Sequence, residues 1–347
     1  MENLFDTPDS VLQNWLAEQR QPPFRQKQIR QAALQPGIVD FEQMSNLPKA
    51  LRQRLGETFR LRSMRPVAQT GSPQSSAEKF LLELADGNRI ETVVLHNDRG
   101  EPTLCVSTQV GCAMRCAFCA SGMNGVVRNL TSGEILEQFL FAADHLKATA
   151  DAPLSHAVIM GMGEPTANLD ALLAALEIVV APEGLGLGAR KITLSTVGTP
   201  TGIDRLAQCG RPYHLAISLH APNDELRSQL IPANRVFPIQ PLLEAADRYF
   251  NATGRRVTCE YILLAGLNDR DEHATQLARL LKHRCALVNL IPYNPVKELP
   301  FQTPSAKQVR RFAEILEKAG IPVVTRHRKG DAIDAACGQL RASHKNP

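Results

Sequence analysis

From residue 103 onward the chain alternates between short apolar, β-rich runs and longer stretches with helical spacing. The runs cover 103–108, 156–160, 191–195, 214–219, 256–264, 285–291 and 321–325. Between them, helical patterns cover 131–147, 169–180, 202–209, 240–251, 270–283 and 305–319. The clearest helix opens with Thr131-Ser-Gly-Glu134, a capping box, and then sets Ile135, Leu136, Phe139, Leu140 and Ala143 on one face. Repeated βα units predict a parallel sheet, as a barrel or an open doubly wound sheet. Six units are two short of the usual eight, so the expected fold class is α/β, a partial (βα)6 TIM-like barrel. The predicted division is a helical accessory domain over 1–75, connecting strands over 76–100, the barrel over 101–330 and a tail over 331–347.

A chain of 347 residues, 44% hydrophobic, suffices for one large domain with an appendage or for two ordinary domains. The first fifteen residues carry Glu2, Asp6 and Asp9 and lack the basic start and apolar stretch of a signal peptide. No run approaches the ~18 apolar residues that span a bilayer. The expectation is a cytoplasmic protein with no membrane partner, whose eight cysteines are reduced and serve metal binding or catalysis. The net charge of +4 changes little, but its distribution does. Residues 1–68 hold ten Lys/Arg against seven acids, and 307–330 hold seven against two. Such basic surfaces suit phosphate contacts and salt-dependent RNA binding, or are plain solvated helix faces.

The unusual residues fall just after the predicted strands. The first strand leads into Cys112-Ala-Met-Arg-Cys116-Ala-Phe-Cys119 and the second into Gly161-Met-Gly163-Glu164-Pro165. The third ends in Ser195-Thr-Val-Gly198, the fourth in Ser218-Leu219-His220, and the sixth runs into Pro292-Tyr-Asn294-Pro295. In βα barrels the C-terminal strand ends share one face, where chemistry is assembled. The C-x3-C-x2-C spacing lets one loop aim three sulfurs at a single point. Three thiolates on a four-iron cluster leave one iron open for chemistry, whereas a structural zinc site wants four ligands in two separated pairs. Cys105, seven residues upstream, keeps the four-cysteine zinc reading open. Gly163 lets backbone approach a ligand, and Glu164 can accept from a ligand ammonium; the alternative is a plain turn with a surface acid. Ser195, Ser218 and Asn294 offer neutral polar groups suited to hydroxyls and a carboxylate, or form turns. His220 either touches a ligand or satisfies a buried polar group. Cys105 and Cys337 are reactive thiols or inert buried ones; Cys209, Cys259 and Cys285 fall within helix or strand patterns and read as core.

The triplet resembles the signature of the radical S-adenosylmethionine (SAM) superfamily. There SAM occupies the open iron and is cleaved to methionine and a 5′-deoxyadenosyl radical. A wider set is similar to the RlmN/Cfr family of RNA methyltransferases: Cys105-Val-Ser-Thr-Gln-Val-Gly-Cys112, the triplet, Arg128-Asn-Leu130, Met160-Gly-Met-Gly-Glu164-Pro165, Ser218-Leu-His220, Pro292-Tyr-Asn294-Pro295, Ala335-Ala-Cys337-Gly-Gln-Leu340 and Phe24-Arg25-Gln-Lys-Gln28-Ile29. The resemblance implies a [4Fe-4S] cluster on Cys112, Cys116 and Cys119. It implies SAM contacts from Gly163, Glu164, Ser195, Ser218, Leu219, His220 and Asn294. It makes Cys337 the S-methylcysteine carrier, Cys105 the thiol that takes the ring proton and closes a transient disulfide, and Glu91 a proton acceptor. The implied reaction is methylation of carbon 2 of adenine in 23S rRNA near the peptidyl-transferase centre and in tRNA beside the anticodon. The implied partners are those RNAs and an electron donor such as flavodoxin or ferredoxin, and the protein is expected to be a monomer. A Cfr-like enzyme acting on carbon 8, with antibiotic resistance as its outcome, is the alternative within the family. A non-catalytic iron–sulfur or zinc RNA-binding module is the alternative outside it.

Overall fold

The structure is a computed structural model that describes residues 1–97, 99–149, 152–326 and 335–340. Ten strands form one sheet whose spatial order follows the sequence. They are β1 (Arg65–Gly71), β2 (Ala77–Glu83), β3 (Arg89–Leu95), β4 (Thr103–Cys105), β5 (His156–Ile159), β6 (Ile192–Thr196), β7 (His214–Ser218), β8 (Val257–Leu263), β9 (Ala286–Pro292) and β10 (Val323–Thr325). Strands β4 to β10 are parallel, with registers such as Thr103↔His156 and Val257↔Ala286. Strands β1 to β4 are antiparallel neighbours. The parallel part has the wiring of a (βα) barrel segment, each crossover carrying helix.

The helices are α1 (Asp9–Glu18), α2 (Phe24–Ala33), α3 (Lys49–Thr58), α4 (Ser132–Thr149), α5 (Leu169–Val180), α6 (Pro200–Gln208), α7 (Asp224–Leu230), α8 (Ile239–Thr253), α9 (Asp271–Leu281) and α10 (Ala306–Lys318). The predicted capping box of α4 is present: Thr131 Oγ1 accepts from Glu134 N (3.1 Å), and Glu134 Oε2 accepts from Thr131 N (2.9 Å). Helix α8 stops at Gly254, which takes the left-handed conformation (φ 66°) that costs glycine least. Every residue of β8 is buried, so this strand reads as a continuous apolar run and not an alternating one.

Helices α1 to α3 form the N-terminal unit, closed by a parallel pairing of Glu2–Asn3 with Phe59–Arg60. Two carboxylates fasten it to α4. Glu137, nearly fully buried, accepts from Asn3 Nδ2 (2.6 Å), Ser63 N (2.7 Å), Ser63 Oγ (2.8 Å) and Met64 N (3.0 Å). Asp6 accepts from Thr131 Oγ1, Ser132 Oγ and Gly133 N at the start of that helix, where a negative charge also meets the helix dipole. Strand β1 lies inside the stretch assigned above to the accessory domain, yet it is hydrogen-bonded to β2 in the large sheet. The predicted tail over 331–347 is described only at 335–340, and the basic stretch 307–330 only to Arg326.

Candidate active site

After β4 the chain leaves the sheet and wraps over its C-terminal end. Gln138 of α4 holds this turn, accepting from Ser107 N (2.8 Å) and donating to Ser107 O (2.9 Å). A small hairpin, Gln109–Gly111 with Val126–Asn129, then closes off the cysteine loop as a unit. Gly161 and Gly163 serve packing here. A Cβ on Gly161 would sit 2.6 Å from Ser107 Oγ, and one on Gly163, at φ 110°, 2.6 Å from Thr108 Oγ1. Glycine lets the second strand-end loop lie directly on the first.

Two neighbouring cavities result. The larger is lined by Cys112, Cys116 and Cys119 together with Gly163, Glu164, Ser195, Ser218, His220, Glu260 and Cys337. The smaller is lined by Cys105, Met160, Asn294, Arg326, Ala335 and Cys337, among others. Cys337 thus forms part of both walls. All eight cysteines are free thiols. The predicted residues therefore gather at the sheet's C-terminal end with two exceptions. Leu219 is fully buried behind the wall, its N–H donating to Glu260 O. Glu91 lines neither cavity; on β3 it pairs with Lys79 Nζ at 3.2 Å.

Glu164 is almost wholly buried. Its Oε1 accepts from Thr166 N (3.0 Å), Thr166 Oγ1 (2.7 Å) and Thr196 Oγ1 (2.5 Å), while Oε2 accepts only from Val197 N (3.0 Å). The carboxylate ties two strand-end loops together and keeps acceptor capacity on Oε2. Ser195 Oγ and Ser218 Oγ stand 3.5 Å apart on the same wall. His220 takes a left-handed backbone (φ 58°). Its Nδ1 accepts from Ile262 N (3.0 Å), which places the ring proton on Nε2, and Phe118 meets the ring edge-on at 4.9 Å. Burial, reinforced by Arg227, lowers its pKa to about 3, so the imidazole is neutral. Asn294 donates to Cys337 O (3.4 Å), and its buried Oδ1 has no partner among the described residues. A buried acceptor of this kind is satisfied by a ligand donor.

Burial pushes the Cys112 thiol up to about 12, Cys116 well above its ordinary value, and Cys119 upward too. A bound cation is what would deprotonate such thiols. Among the described residues no group of three or more His, Cys, Asp or Glu is placed to hold a metal ion. Cys112, Cys116 and Cys119 line one cavity within electrostatic reach of one another, a set of three thiolates that fits a four-iron cube with one iron left open.

Cys105, the thiol that the resemblance makes a base, is held protonated in this structure. Burial first, then the neighbouring Cys337, pushes it up to about 12, opposed by Arg326. Arg326 Nη1 stands 4.0 Å from Cys337 Sγ, and that sulfur, followed by Glu260 and Cys105, holds the guanidinium in its charged form. Glu260 itself, buried and accepting from Asn289 Nδ2 (2.7 Å), is raised to about 7, chiefly by burial. Neither Arg326 nor Glu260 was a predicted site residue. Glu260 had a signal: a lone acid inside an apolar strand run is rare unless it has a task.

Comparison with known proteins agrees with this geometry. The model of the radical SAM superfamily matches residues 106–278, and that of the ribosomal RNA large subunit methyltransferase N-terminal domain matches 2–61. Together with the three-cysteine cavity, they define the chain as a radical SAM enzyme. A probable dual-specificity RNA methyltransferase RlmN from Rhodopirellula baltica is 54% identical over 95% of this chain and 88% of its own length. One of the same description from Symbiobacterium thermophilum is 48% identical over 94% and 87%. The crystal structure of a radical SAM methyltransferase from Sphaerobacter thermophilus superposes with a TM-score of 0.94 at 44% identity, covering 99% of this chain and all of that one. The chain belongs to the RlmN family of radical SAM RNA methyltransferases.

Proposed function

We propose that the protein methylates carbon 2 of an adenine, in 23S rRNA near the peptidyl-transferase centre and in tRNA beside the anticodon, carrying the methyl group on Cys337. The observation that carries this reading is the position of Cys337 in the walls of both cavities. An aromatic ring carbon has no lone pair with which to displace a methyl group from a sulfonium, so a carrier that serves two sites is a chemical need. A four-iron cluster on Cys112, Cys116 and Cys119 would supply the electron that cleaves SAM in the larger cavity. Gly163, Glu164, Ser195, Ser218 and His220 line that cavity and bind the SAM amino, carboxylate and ribose groups; Asn294 approaches from the smaller one.

Arg326 Nη1, 4.0 Å from Cys337 Sγ, sets a positive charge beside the sulfur that accepts the methyl group. Methylation turns that sulfur into a neutral thioether and so removes the second-largest influence raising the Cys105 pKa. Cys105 thereby becomes easier to ionise when a base is required. One hydrogen atom of the S-methyl group would pass to the 5′-deoxyadenosyl radical, the resulting carbon would bond the ring carbon, and one electron would return from the adduct to the cluster. Cys105 then takes the ring proton; its sulfur bonds Cys337 Sγ, the sulfur–carbon bond breaks with its electron pair, and the proton passes to the freed carbon, completing the methyl group and releasing RNA. An external dithiol reduces the resulting disulfide before the next cycle. No helix among the described residues is long and apolar enough to cross a membrane. The working form is a cytoplasmic monomer served by a flavodoxin or ferredoxin.

The test is isomer-resolved mass spectrometry of nucleosides from RNA treated with protein, SAM and a reductant. The expected product is 2-methyladenosine. If 8-methyladenosine were the sole product, the Cfr-like reading would replace this one. Replacing Cys105 with Ala should leave RNA covalently attached to Cys337, and absence of any adduct would count against the carrier scheme.

A further inference from the structure

Helix α7 carries a buried cation that makes no salt bridge among the described residues, the carboxylate of Asp224 on the same helix acting on it only through space. Arg227 is 1% exposed. Its Nε donates to Leu219 O (3.0 Å), Nη1 to Asn234 Oδ1 (2.7 Å) and Phe237 O (3.3 Å), and Nη2 to Val197 O (2.6 Å) and Ser218 O (3.0 Å). All of these acceptors are neutral. Asp224, on the same helix, spends its Oδ1 on Asn234 Nδ2 and Ile239 N. Removing a lone guanidinium from water costs several kcal/mol unless an opposite charge repays it. Burial lowers its pKa to about 10, which still leaves it charged at neutral pH.

The neighbour that could repay this cost is the cysteine loop. Leu230 O, at the end of α7, accepts from Ala117 N (2.8 Å), stitching the residue after Cys116 to the helix. Phe118, Leu226 and Leu230 share a small core against which Cys116 and Cys119 pack. Cys116 and Arg227 are within electrostatic reach of each other. Two carbonyls that Arg227 grips, those of Val197 and Ser218, belong to residues lining the same cavity as the three thiols. The apolar packing between them keeps water, and so screening, out.

We propose that Arg227 is the buried counter-charge of the iron–sulfur cluster and raises its reduction potential by favouring the more negative, reduced form. This rests on Cys112, Cys116 and Cys119 being the ligands. A merely structural arginine would tie loop carbonyls together and leave the potential where it is; a counter-charge sets it.

The experiment is an anaerobic redox titration of the full-length protein with its cluster reconstituted, followed by visible absorbance and electron paramagnetic resonance. Arg227→Gln should shift the one-electron equilibrium toward the oxidised form by about tenfold, which is ~59 mV. Arg227→Lys, which keeps the charge, should stay within about threefold of wild type. Asn234→Asp, which sets a carboxylate against Nη1, should shift the potential in the same direction as Arg227→Gln. Wild-type potential in both Arg227→Gln and Asn234→Asp overturns the proposal; should Arg227→Gln fail to fold or hold iron, the Asn234→Asp titration alone decides. A Cys116→Ala protein that still assembles the same cluster would instead sink the ligand assignment, which separates that failure from this one.

Discussion

The two cavities share a wall and are built on opposite plans. Around the three-cysteine cavity the polar groups are mostly braced by bonds within the wall: Glu164 holds four donors and keeps a little room on Oε2, and His220 accepts a backbone N–H on Nδ1. Around Cys105 the structure leaves things poised: an Asn294 oxygen without a partner among the described residues, a guanidinium beside a sulfur, and a thiol pushed up by burial and then by its neighbour. The first plan suits a cofactor that must be held still, because saturated hydrogen bonds fix the geometry of the wall. The second suits a residue whose protonation must change during a cycle. What divides them is how much polar capacity the wall leaves unspent, since burial is common to both.

The sharpest way to break this comparison is to remove one thiol from each side. Cys116→Ala should lose its iron and cut 5′-deoxyadenosine formation by roughly a thousandfold. Cys105→Ala should retain iron and SAM cleavage within about threefold while releasing no methylated RNA. Iron loss from the Cys105 variant, measured by metal analysis, would erase the distinction. Next in size is Glu164→Ala, which strands four buried donors and should cost about 3 kcal/mol in chemical denaturation; a loss under about 1 kcal/mol would show the wall to be less constrained than its bonds imply.

Glu260 lines the first cavity and leans electrostatically on Arg326 in the second. Its folded-state pKa, raised to about 7, lies above the unfolded value of 4.5. Its contribution to stability is therefore complete below pH 4.5 and is lost as pH rises through about 7. Relative to Glu260→Gln, wild type should weaken across that window by about 3 kcal/mol; parallel stability–pH curves would contradict it. The smallest effect belongs to Arg326. Its replacement by Gln should slow methylation of Cys337 about tenfold, and by Lys less so, followed by intact-protein mass in a single turnover. A Gln variant as fast as wild type would mean that the guanidinium is a bystander.

The parallel half of the sheet was legible because its strands are buried on both faces and alternate with well-capped helices. The run at 256–264 became β8 with its ends trimmed by a residue each, and 103–108 shortened to β4 because Ser107 bonds to Gln138 and not to the ladder. Strand β1 fell within the stretch assigned to the appendage, a reading that rested on basic residues running as far as Arg65; its pairing with β2 is a tertiary fact that no local pattern carries. The cysteine loop and the strand-end loops were visible from spacing and position, whereas Cys105 and Cys337 were open between reactive and inert on their own context and stood out only through the family resemblance. Arg227 was not, since the seven-residue helix α7 has too few turns to show a period, and a lone arginine there reads as surface. Arg326 matters through contacts with residues distant in the chain, of which sequence spacing says nothing, and Glu260 left only the trace of an acid inside an apolar run.

The stretch 335–340 does not simply rest near the cysteine loop. Ala120 N donates to Gly338 O (2.8 Å), and Ser121 Oγ donates to Leu340 O (2.5 Å). The first latch joins the residue after Cys119 to the residue after Cys337, and the second repeats the link farther along both segments. A change in the shape of the cysteine loop is therefore carried straight to Cys337, so on the function proposed above one lesion in the loop would silence both cavities together.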